Sequence, residues 1–491
     1  MDNVDISILS EQNPWWIDAK NINNDHKLKA FDKSTLKWYP NIKHYIELDY
    51  DAIYTLRGPR QVGKTTLIKN IIRELLLSAE VKPENVFFWS CERTMPENLN
   101  KVLQTYFNWR INDSGRKYIF LDEISDVKDW YREIVYFANK GDFENCSVVV
   151  TGSHSMDIKY STEKMPGRRG GKENPLDKIL LPMKFSEFVK LVLPTFKQKM
   201  FDCNIVSKDH RKSKILDLFE GRISKDIETL LLHKKQLDSL LEIYLITGGI
   251  PATINEFVKT GSISRRTYDV YLQAIIGDLN RYSFKEKNVK QILTQLFTTF
   301  TTPISWNSIT QASEVKHHET VDKYISAFED LFIANVSYRK SVDKRTHYFY
   351  KKVYFQDPFI YHALNGWVFN KPDYFKNAKS NVFNIETKSK LIESIVHNHL
   401  CRFAYGLNPH DLFVPRDNIF YYRDRNEKEI DFLIDFDEKL YPIEVKYQTS
   451  ISDSDFTLFN QFGKGILISR NSLEPKGKYS AVPLSIFLML I

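Results

Sequence analysis

The chain has 491 residues, and at about 150 residues per domain this length predicts roughly three domains. Hydrophobic residues make up 42% of the chain and charged residues 27%, which is ordinary for globular proteins and excludes disorder throughout. The formal net charge of +7 permits nucleic acid as a partner without requiring it.

The cysteines and the apolar segments indicate the compartment. Four cysteines lie far apart, which excludes both a disulfide scaffold and a Cys-x-x-Cys zinc site: Cys91, Cys146, Cys203 and Cys401. The first residues lack the basic and apolar regions of a signal peptide, and the apolar stretch at 485–491 is far shorter than the ~20 residues that span a bilayer. We therefore expect a cytoplasmic protein without a membrane partner.

The first third of the chain predicts a docking arm followed by an α/β domain. Residues 1–45 are polar with scattered aromatic side chains, which is typical of an arm with one short helix. Residues 46–183 alternate apolar strands with helical stretches, as βαβ units require. The strands are nearly continuous apolar runs, which predicts a parallel sheet covered on both faces, and they lie at 52–56, 85–90, 117–123 and 146–153.

A phosphate-binding loop follows the first of these strands. The segment GPRQVGKT at 58–65 matches G-x-x-x-x-G-K-[ST], with a strand before it and a helix after it. The glycines let backbone N–H groups surround phosphates, Lys64 can reach the β- and γ-phosphates, and the Thr65 hydroxyl can bind Mg²⁺. The predicted ATP-binding residues are Gly58, Pro59, Arg60, Gln61, Val62, Gly63, Lys64, Thr65 and Thr66.

Two carboxylates end the third strand, in the segment YIFLDE. Asp122 lies at the carboxyl end of a buried strand, where ligands bind in open α/β sheets, and we expect it to hold Mg²⁺ with Thr65. Glu123 is the expected general base that activates the attacking water. Ser153, which closes the fourth strand, is either a sensor of the γ-phosphate or the N-cap of a helix.

The middle of the chain is predicted to be mainly helical. Residues 184–285 form a helical region, and residues 286–376 combine short helices with a basic hairpin, as in a winged helix. The hairpin cations predict contact with DNA phosphates, and they are Lys340, Lys344, Arg345, Lys351 and Lys352. Acidic residues on the preceding helix leave a protein-contact role open. Residues 377–384 have the composition of a linker.

An acidic constellation marks the last region, residues 385–491. Asp431 and the triplet Glu444-Val-Lys446 lie on two predicted neighbouring strands, and residues two apart on a strand share a face. Two carboxylates suit Mg²⁺, and the lysine can orient or help to deprotonate a water near a phosphodiester. Glu393 on the preceding helix is a further candidate metal ligand. The order of a helix, three strands, a helix and a strand is similar to the PD-(D/E)xK nuclease core; charge on an exposed strand face is the alternative.

The motifs together resemble the archaeal and bacterial AAA+-like ATPases of the AAA_14 / DUF4143 type. The resemblance rests on the phosphate loop, FLDEI, VVVTGS, NPWW near the N-terminus, YLITGGIP and KVYFQDPFI. It implies an α/β fold: a P-loop NTPase (AAA+-like) parallel sheet with a helical lid, a winged helix and a C-terminal restriction-endonuclease-like α/β domain. The acid that relatives carry after the second strand is absent, although Glu92 could substitute for it.

Two functions remain open from the sequence. The first is a Mg²⁺-dependent ATPase whose cycle controls a DNA-binding or nuclease-like C-terminal domain, with Asp431, Glu444 and Lys446 as catalytic residues. The second is a regulatory or defence switch ATPase, in which the nuclease-like domain is an inactive scaffold that binds DNA or protein. Both use ATP and Mg²⁺, and oligomers are possible for either. Convergence of Glu393 with the strand residues favours the first function.

Overall fold

We describe a computed structural model of the chain, covering residues 5–78, 80–92, 94, 96–152, 158, 161, 165, 176–407, 415–436 and 438–491. The chain divides into two compact units, Met1–Leu181 and Pro182–Ile491. Each unit has its own β-sheet.

The first unit contains a parallel sheet with the strand order β2-β3-β4-β1-β5. Its strands are β1 (Ala52–Arg57), β2 (Val86–Ser90), β3 (Lys117–Asp122), β4 (Cys146–Thr151) and β5 (Asp177–Ile179). The four strands expected from the apolar runs are confirmed, and β5 was not predicted because it is only three residues long. The order places β1 between β4 and β5, so the loop that follows β1 lies between the carboxyl ends of these two strands.

Helices cover both faces of this sheet. They are α1 (Ile6–Gln12), α2 (His26–Lys33), α3 (Lys64–Leu77), α4 (Pro96–Trp109) and α5 (Trp130–Lys140). Successive strand residues point to opposite faces: Phe87 and Ile119 pack with α1, α4 and α5, whereas Phe88 and Phe120 pack with α2 and α3. This two-sided burial explains the nearly continuous apolar strands of the sequence.

The N-terminal arm covers the exposed edge of β2. The buried Asn13 side chain accepts a hydrogen bond from Phe88 N at 2.7 Å and donates to Phe88 O at 3.0 Å, as a neighbouring strand would. Gln12 accepts from Ser90 N at 2.8 Å, and Trp15 Nε1 donates to Val86 O at 2.8 Å. Because a free strand edge is a template for aggregation, these side chains take the place of a missing strand.

The second unit begins with helices, as the sequence predicted. They are α6 (Phe185–Val192), α7 (Phe196–Asp202), α8 (Lys208–Phe219), α9 (Lys225–Leu231), α10 (Lys234–Thr247), α11 (Pro251–Thr260), α12 (Arg265–Arg281), α13 (Glu286–Thr298), α14 (Trp306–Gln311) and α15 (His318–Asp330). Three further helices come after a β-hairpin: α16 (Pro358–Val368), α17 (Tyr374–Phe383) and α18 (Ile385–Leu407). The last helix of the described residues is α19 (Leu484–Leu490).

An eight-stranded sheet with the order β12-β13-β11-β10-β9-β8-β6-β7 completes this unit. Its strands are β6 (Ala334–Lys340), β7 (Thr346–Phe355), β8 (Ile419–Arg423), β9 (Glu429–Phe436), β10 (Lys439–Lys446), β11 (Gly465–Ser469), β12 (Glu474–Lys476) and β13 (Tyr479–Pro483). Strands β8, β9 and β10 are antiparallel neighbours, and β11 runs parallel to β10. The expected second helix of the C-terminal region is a 3₁₀ helix at Asp453–Gln461.

Two expectations for the middle of the chain are corrected. The supposed linker at 377–384 lies largely in α17, because Tyr374, Ala378 and Val382 recur every four residues and are buried. The sequence also predicted that the basic hairpin and the C-terminal strands belong to separate regions. The hairpin forms as β6 and β7, but β6 also pairs with β8, so both regions share one sheet.

The cations of this hairpin are only partly available to DNA. Lys340, Lys351 and Lys352 are buried, which contradicts their expected contact with phosphates. Lys340 pairs with Asp435, and Lys351 Nζ lies 4.3 Å from the centre of the Trp306 ring. Lys344 and Arg345 at the hairpin tip are exposed, and their contact with phosphates stays a prediction.

Among the helices of the described residues, no single one is both long enough and apolar enough to cross a bilayer. Helices α10 and α11 reach that length and character only when they are joined across a bend of 116°.

Candidate functional site

The loop that the sequence predicts to bind phosphate connects β1 to α3. Gly58 follows β1, and Gly63 adopts a left-handed conformation as the N-cap of α3. A Cβ atom on Gly58 would lie 2.1 Å from the carbonyl oxygen of Leu180, so only glycine lets the loop pass this close to the backbone beyond β5. The start of α3 directs its N–H groups and positive dipole toward this loop.

The Lys64 side chain lies inside the loop. Its ammonium group donates hydrogen bonds to the carbonyl oxygens of Gly58 at 2.8 Å and of Pro59 at 3.1 Å, and the residue is buried. The loop therefore holds a positive charge and backbone N–H donors together, which is the chemistry that an anion needs. The other predicted loop residues are Arg60, Gln61 and Val62, and Thr66 lies in the first turn of α3.

Thr65 and Asp122 meet beside the loop. The Thr65 hydroxyl donates a hydrogen bond to Asp122 Oδ2 at 2.8 Å, and Asp122 is 4% exposed at the end of β3. Burial raises the pKa of Asp122, and hydrogen bonds from Thr151 and Thr65 act in the opposite direction. A hydroxyl and a carboxylate in contact offer two oxygen ligands of the kind that Mg²⁺ prefers, so the residues present fit that ion.

Glu123 and Thr151 complete the edge of the sheet. Thr151 at the end of β4 donates a hydrogen bond to Asp122 Oδ1, and its oxygen accepts one from Glu123 N at 3.3 Å. Glu123 has a left-handed backbone with φ of 53°, which turns the chain sharply after β3. The sequence analysis missed Thr151; the threonine of VVVTGS at a strand end was the available signal. Ser153 lies outside the described residues.

A second cluster joins the acidic residues of the C-terminal strands. Asp431 on β9 and Glu444 on β10 lie just beyond Phe432 and Ile443, the last residues with which these two strands pair with each other. Glu444 Oε2 accepts a hydrogen bond from Asp431 N at 3.2 Å, and Asp431 Oδ2 accepts one from Val445 N at 2.9 Å. The two carboxylates therefore continue the strand pairing through their side chains.

Glu393 on α18 reaches the same cluster through a lysine that the sequence analysis had assigned to DNA. The Lys352 ammonium lies 3.0 Å from Glu393 Oε1 and 3.4 Å from Asp431 Oδ1. It also lies 2.5 Å from Oε1 of Glu429, a carboxylate that the sequence analysis did not identify. The structure thus brings Glu393 and Asp431 together around Lys352, whose side chain is 1% exposed.

Burial governs the charge of this cluster. It raises the pKa of Glu393, of Asp431 and of Glu444, since each carboxylate is removed from water. Burial alone would lower the pKa of Lys352, but the surrounding carboxylates outweigh it and hold that pKa well above its ordinary value. The charge of Lys352 in turn opposes part of the rise in the carboxylate pKa values, because it favours the ionised forms of Glu393 and Asp431.

Lys446, the lysine of the predicted E-x-K triplet, lies at the border of the cluster. Its Nζ is 3.8 Å from Glu444 Oε1 and 3.6 Å from Asp455 Oδ1, and one third of its side chain is exposed. Glu444 and Lys446 thus share a face, as the strand alternation predicted. Across the described ranges of the chain, no group of three or more His, Cys, Asp or Glu side chains is arranged to hold a metal ion.

Three segments match family models. Residues 50–189 match AAA_14, an AAA domain, and residues 388–487 match DUF4143, a domain of unknown function. Residues 238–371 match a further domain of unknown function, DUF8612. The first two matches support an AAA-like ATPase and confirm the family resemblance that the motifs predicted for those segments.

Individual relatives are distant. An uncharacterized protein of Methanocaldococcus jannaschii is 26% identical over 232 residues, which are 46% of this chain and 44% of that relative. The Walker-type ATPase PABY2304 of Pyrococcus abyssi has 15% identity and a TM-score of 0.38, over 71% of this chain and 95% of that one. The Aeropyrum pernix ORC1 protein in complex with DNA has 11% identity and a TM-score of 0.29, over 74% and 92%.

Proposed function

We propose that the first unit binds and hydrolyses ATP with Mg²⁺. The observation that carries this proposal is the hydrogen bond of 2.8 Å between the Thr65 hydroxyl and Asp122, next to a loop that encloses the Lys64 ammonium. The threonine lies in the first turn of a helix and the aspartate ends a separate strand, so the fold brings them into contact. Their contact beside a phosphate-binding loop is what Mg²⁺-dependent nucleotide chemistry requires.

Each residue has a distinct role in this proposal. Lys64 exchanges its two carbonyl partners for the β- and γ-phosphates, and the N–H groups at the start of α3 bind phosphate oxygens. Thr65 and Asp122 would hold Mg²⁺, which neutralises phosphate charge when bound. Glu123 accepts the proton of the attacking water, and the hydrogen bond from its N–H group to Thr151 positions its backbone.

Steady-state ATP hydrolysis tests this proposal with three variants. Lys64→Ala should abolish tight ATP binding, because the phosphates lose their cation. Glu123→Gln should bind ATP normally and lose about 10²-fold to 10⁴-fold in turnover, the usual contribution of a general base. Glu144→Gln is the matched control, because it makes the same change at an exposed position. Unchanged turnover in Glu123→Gln would disprove the general-base role.

For the second unit, we propose a nuclease-like scaffold whose partner is DNA and whose state depends on the ATP cycle. Helix α18 followed by antiparallel β8, β9 and β10 and by parallel β11 supports a PD-(D/E)xK-like arrangement. Two versions differ in the role of Asp431, Glu444 and Lys446: catalytic residues of an ATP-controlled nuclease, or parts of an inactive scaffold in a nucleotide switch. The position of Lys352 among the carboxylates favours the switch.

Incubation with linear, circular and branched DNA, with and without ATP and Mg²⁺, distinguishes the two versions. Cleavage that disappears in Asp431→Asn, while ATP hydrolysis is unchanged, would establish the nuclease. DNA or protein binding that responds to ATP without cleavage would establish the switch. A protein partner or an oligomer is compatible with either version.

The tip of the β6–β7 hairpin is the proposed DNA contact. The register of β6 with β7 skips residues 348–350, because Arg339 pairs with His347 and Tyr338 pairs with Lys351. The resulting bulge exposes three consecutive aromatic side chains, Tyr348, Phe349 and Tyr350, by 66%, 58% and 48%. Together with exposed Lys344 and Arg345 they combine base-stacking surfaces with positive charge, which suits a nucleic acid. Helices α14 and α15 with this hairpin are the proposed winged helix.

A further inference from the structure

The acidic cluster of the second unit contains a cation from the chain itself. Lys352 extends from β7, where it pairs with Ser337 of β6, and its ammonium group contacts three carboxylates at 2.5, 3.0 and 3.4 Å. These are Glu429, Glu393 and Asp431. Only 1% of the Lys352 side chain is exposed, so its ammonium group is removed from water.

The remaining donors of the cluster also come from the chain. The Tyr354 hydroxyl donates to Glu393 Oε1 at 2.9 Å, the same oxygen that faces Lys352. Asp431 Oδ2 and Glu444 Oε2 accept backbone N–H groups at 2.9 and 3.2 Å. Arg423 Nε lies 2.8 Å from Glu429 Oε2. A donor from the chain therefore contacts each of the four carboxylates, which are Glu393, Glu429, Asp431 and Glu444. In a metal centre, by contrast, carboxylate oxygens would point at one common position.

We propose that Lys352 is the resident cation of this cluster and stands where a divalent ion would have to bind, so that the second unit is a scaffold and not a metal-dependent nuclease. Mg²⁺ needs ligand oxygens at about 2.0–2.1 Å, and it could approach Glu393 and Asp431 only by displacing the ammonium group. Displacement would leave a buried, unpaired lysine, which is strongly unfavourable. The inference does not depend on ATP hydrolysis in the first unit.

Mn²⁺ titration followed by electron paramagnetic resonance tests the proposal in the full chain without nucleotide. All proteins carry Asp122→Asn, which removes the acidic ligand of the proposed ATP site. With Lys352 present, adding Asp431→Asn should leave Mn²⁺ binding unchanged. With Lys352→Met, a site at least tenfold tighter should appear, and Asp431→Asn should remove it. Mn²⁺ binding that needs Asp431 while Lys352 is present would overturn the proposal.

Thermal unfolding without metal gives a second test that keeps Lys352. In an empty metal site two neighbouring carboxylates repel each other. If the cluster were such a site, Asp431→Asn would raise the midpoint temperature of unfolding. A carboxylate that neutralises a buried lysine has the opposite effect, and we expect Asp431→Asn and Glu393→Gln each to lower the midpoint by several degrees. An exposed control, Asp453→Asn, should leave it nearly unchanged. A raised midpoint in Asp431→Asn would overturn the proposal even if Lys352→Met failed to fold.

Discussion

Asp357 accepts a hydrogen bond at 2.7 Å from the backbone N–H of Gly249, which lies 108 residues earlier in the chain. The other carboxylate oxygen accepts from Phe359 N at 2.8 Å and thereby caps α16. This contact explains why the chain carries both the GGIP turn and the QDP segment: each supplies half of one buried interaction. The neighbouring Gly248 has φ of 61° and ψ of −161°, a conformation that is essentially restricted to glycine.

The first prediction concerns Gly248. A Cβ atom at this position would lie 1.8 Å from Asp357 Oδ1, so Gly248→Ala combines backbone strain with a clash against a buried carboxylate. We expect it to lower the free energy of unfolding by about 3 kcal/mol or more, measured by urea denaturation. Gly261→Ala is the matched control, because Gly261 also has a positive φ, of 72°, but no atom within 4 Å of its Cβ position. That control should cost only about 1 kcal/mol, and equal effects would contradict the role of the clash.

The second prediction concerns pH. Burial raises the pKa of Asp357 from 3.8 to about 6, so the folded state holds this proton more tightly than the unfolded state. The stabilisation by the protonated carboxyl group is complete below about pH 4 and is lost as the pH rises through about 6. Asp357→Asn cannot titrate, so the stability difference between wild type and variant should move against the wild type by about 2 kcal/mol across that interval.

Urea denaturation at several pH values measures this difference. A difference that stays constant from about pH 4 to about pH 7 would contradict the raised pKa. Asp373→Asn is a suitable control, because Asp373 also caps a helix, through Lys376 N, and lies at an exposed position.

The nucleotide site could largely be predicted from the sequence, because its information is local. Eight consecutive residues form the phosphate loop, and an apolar run places Asp122 at a strand end. The contact of Thr151 with Asp122 could not be predicted, since it depends on β4 lying between β1 and β3. Strand order is a property of the whole sheet.

The C-terminal cluster depends instead on residues that are far apart in the sequence. Alternation along the strands correctly placed Glu444 and Lys446 on one face, and Glu393 lies beside Asp431 around Lys352. Lys352 was wrongly assigned to a DNA-binding wing, because the local pattern of the hairpin is basic. Its burial follows from the pairing of β6 with β8, which connects residues more than eighty positions apart in the sequence.

The third prediction tests the role of the N-terminal arm. Asn13→Ala removes both the acceptor and the donor that the arm offers to Phe88, and the buried backbone groups of β2 lose their partners. Unpaired buried groups cost about 1–3 kcal/mol each, so for two groups we expect a loss of about 2–6 kcal/mol in the unfolding free energy of the first unit. Asn23→Ala at an exposed position is the control. Equal stability of the two variants would show that the arm does not protect the strand edge.

The fourth prediction concerns the hairpin tip. Replacing Lys344 and Arg345 with Ala removes two exposed cations, so the dependence of log K on log salt for duplex DNA should become shallower by about two units. The double variant Lys259→Ala/Lys371→Ala removes the same charge from other exposed positions and should leave the slope unchanged. Equal slopes in all three proteins would show that the tip does not contact phosphates.

The final prediction concerns Thr151, a positioning residue for the proposed Mg²⁺ site. In the wild type, the hydrogen bond from Thr151 to Asp122 Oδ1 lowers the pKa of that buried carboxyl group. Thr151→Val keeps the shape of the side chain but removes this hydrogen bond. The pKa of Asp122 should therefore rise further, and a protonated carboxyl group binds metal poorly. We expect the Mg²⁺ concentration for half-maximal ATP hydrolysis to increase about tenfold at the acidic end of the pH profile, because a hydrogen bond to a charged group contributes about 1.5–3 kcal/mol.

The pH dependence separates this electrostatic effect from general damage to the site. Toward the alkaline end of the pH profile more of Asp122 is ionised in both proteins, so the Mg²⁺ requirement of Thr151→Val should approach that of the wild type. Thr151→Ser keeps the hydroxyl and should retain wild-type behaviour at both pH values. A defect in Thr151→Val that is equally large at both values would mean that the threonine supports Glu123 through its second hydrogen bond, at 3.3 Å, instead of tuning Asp122.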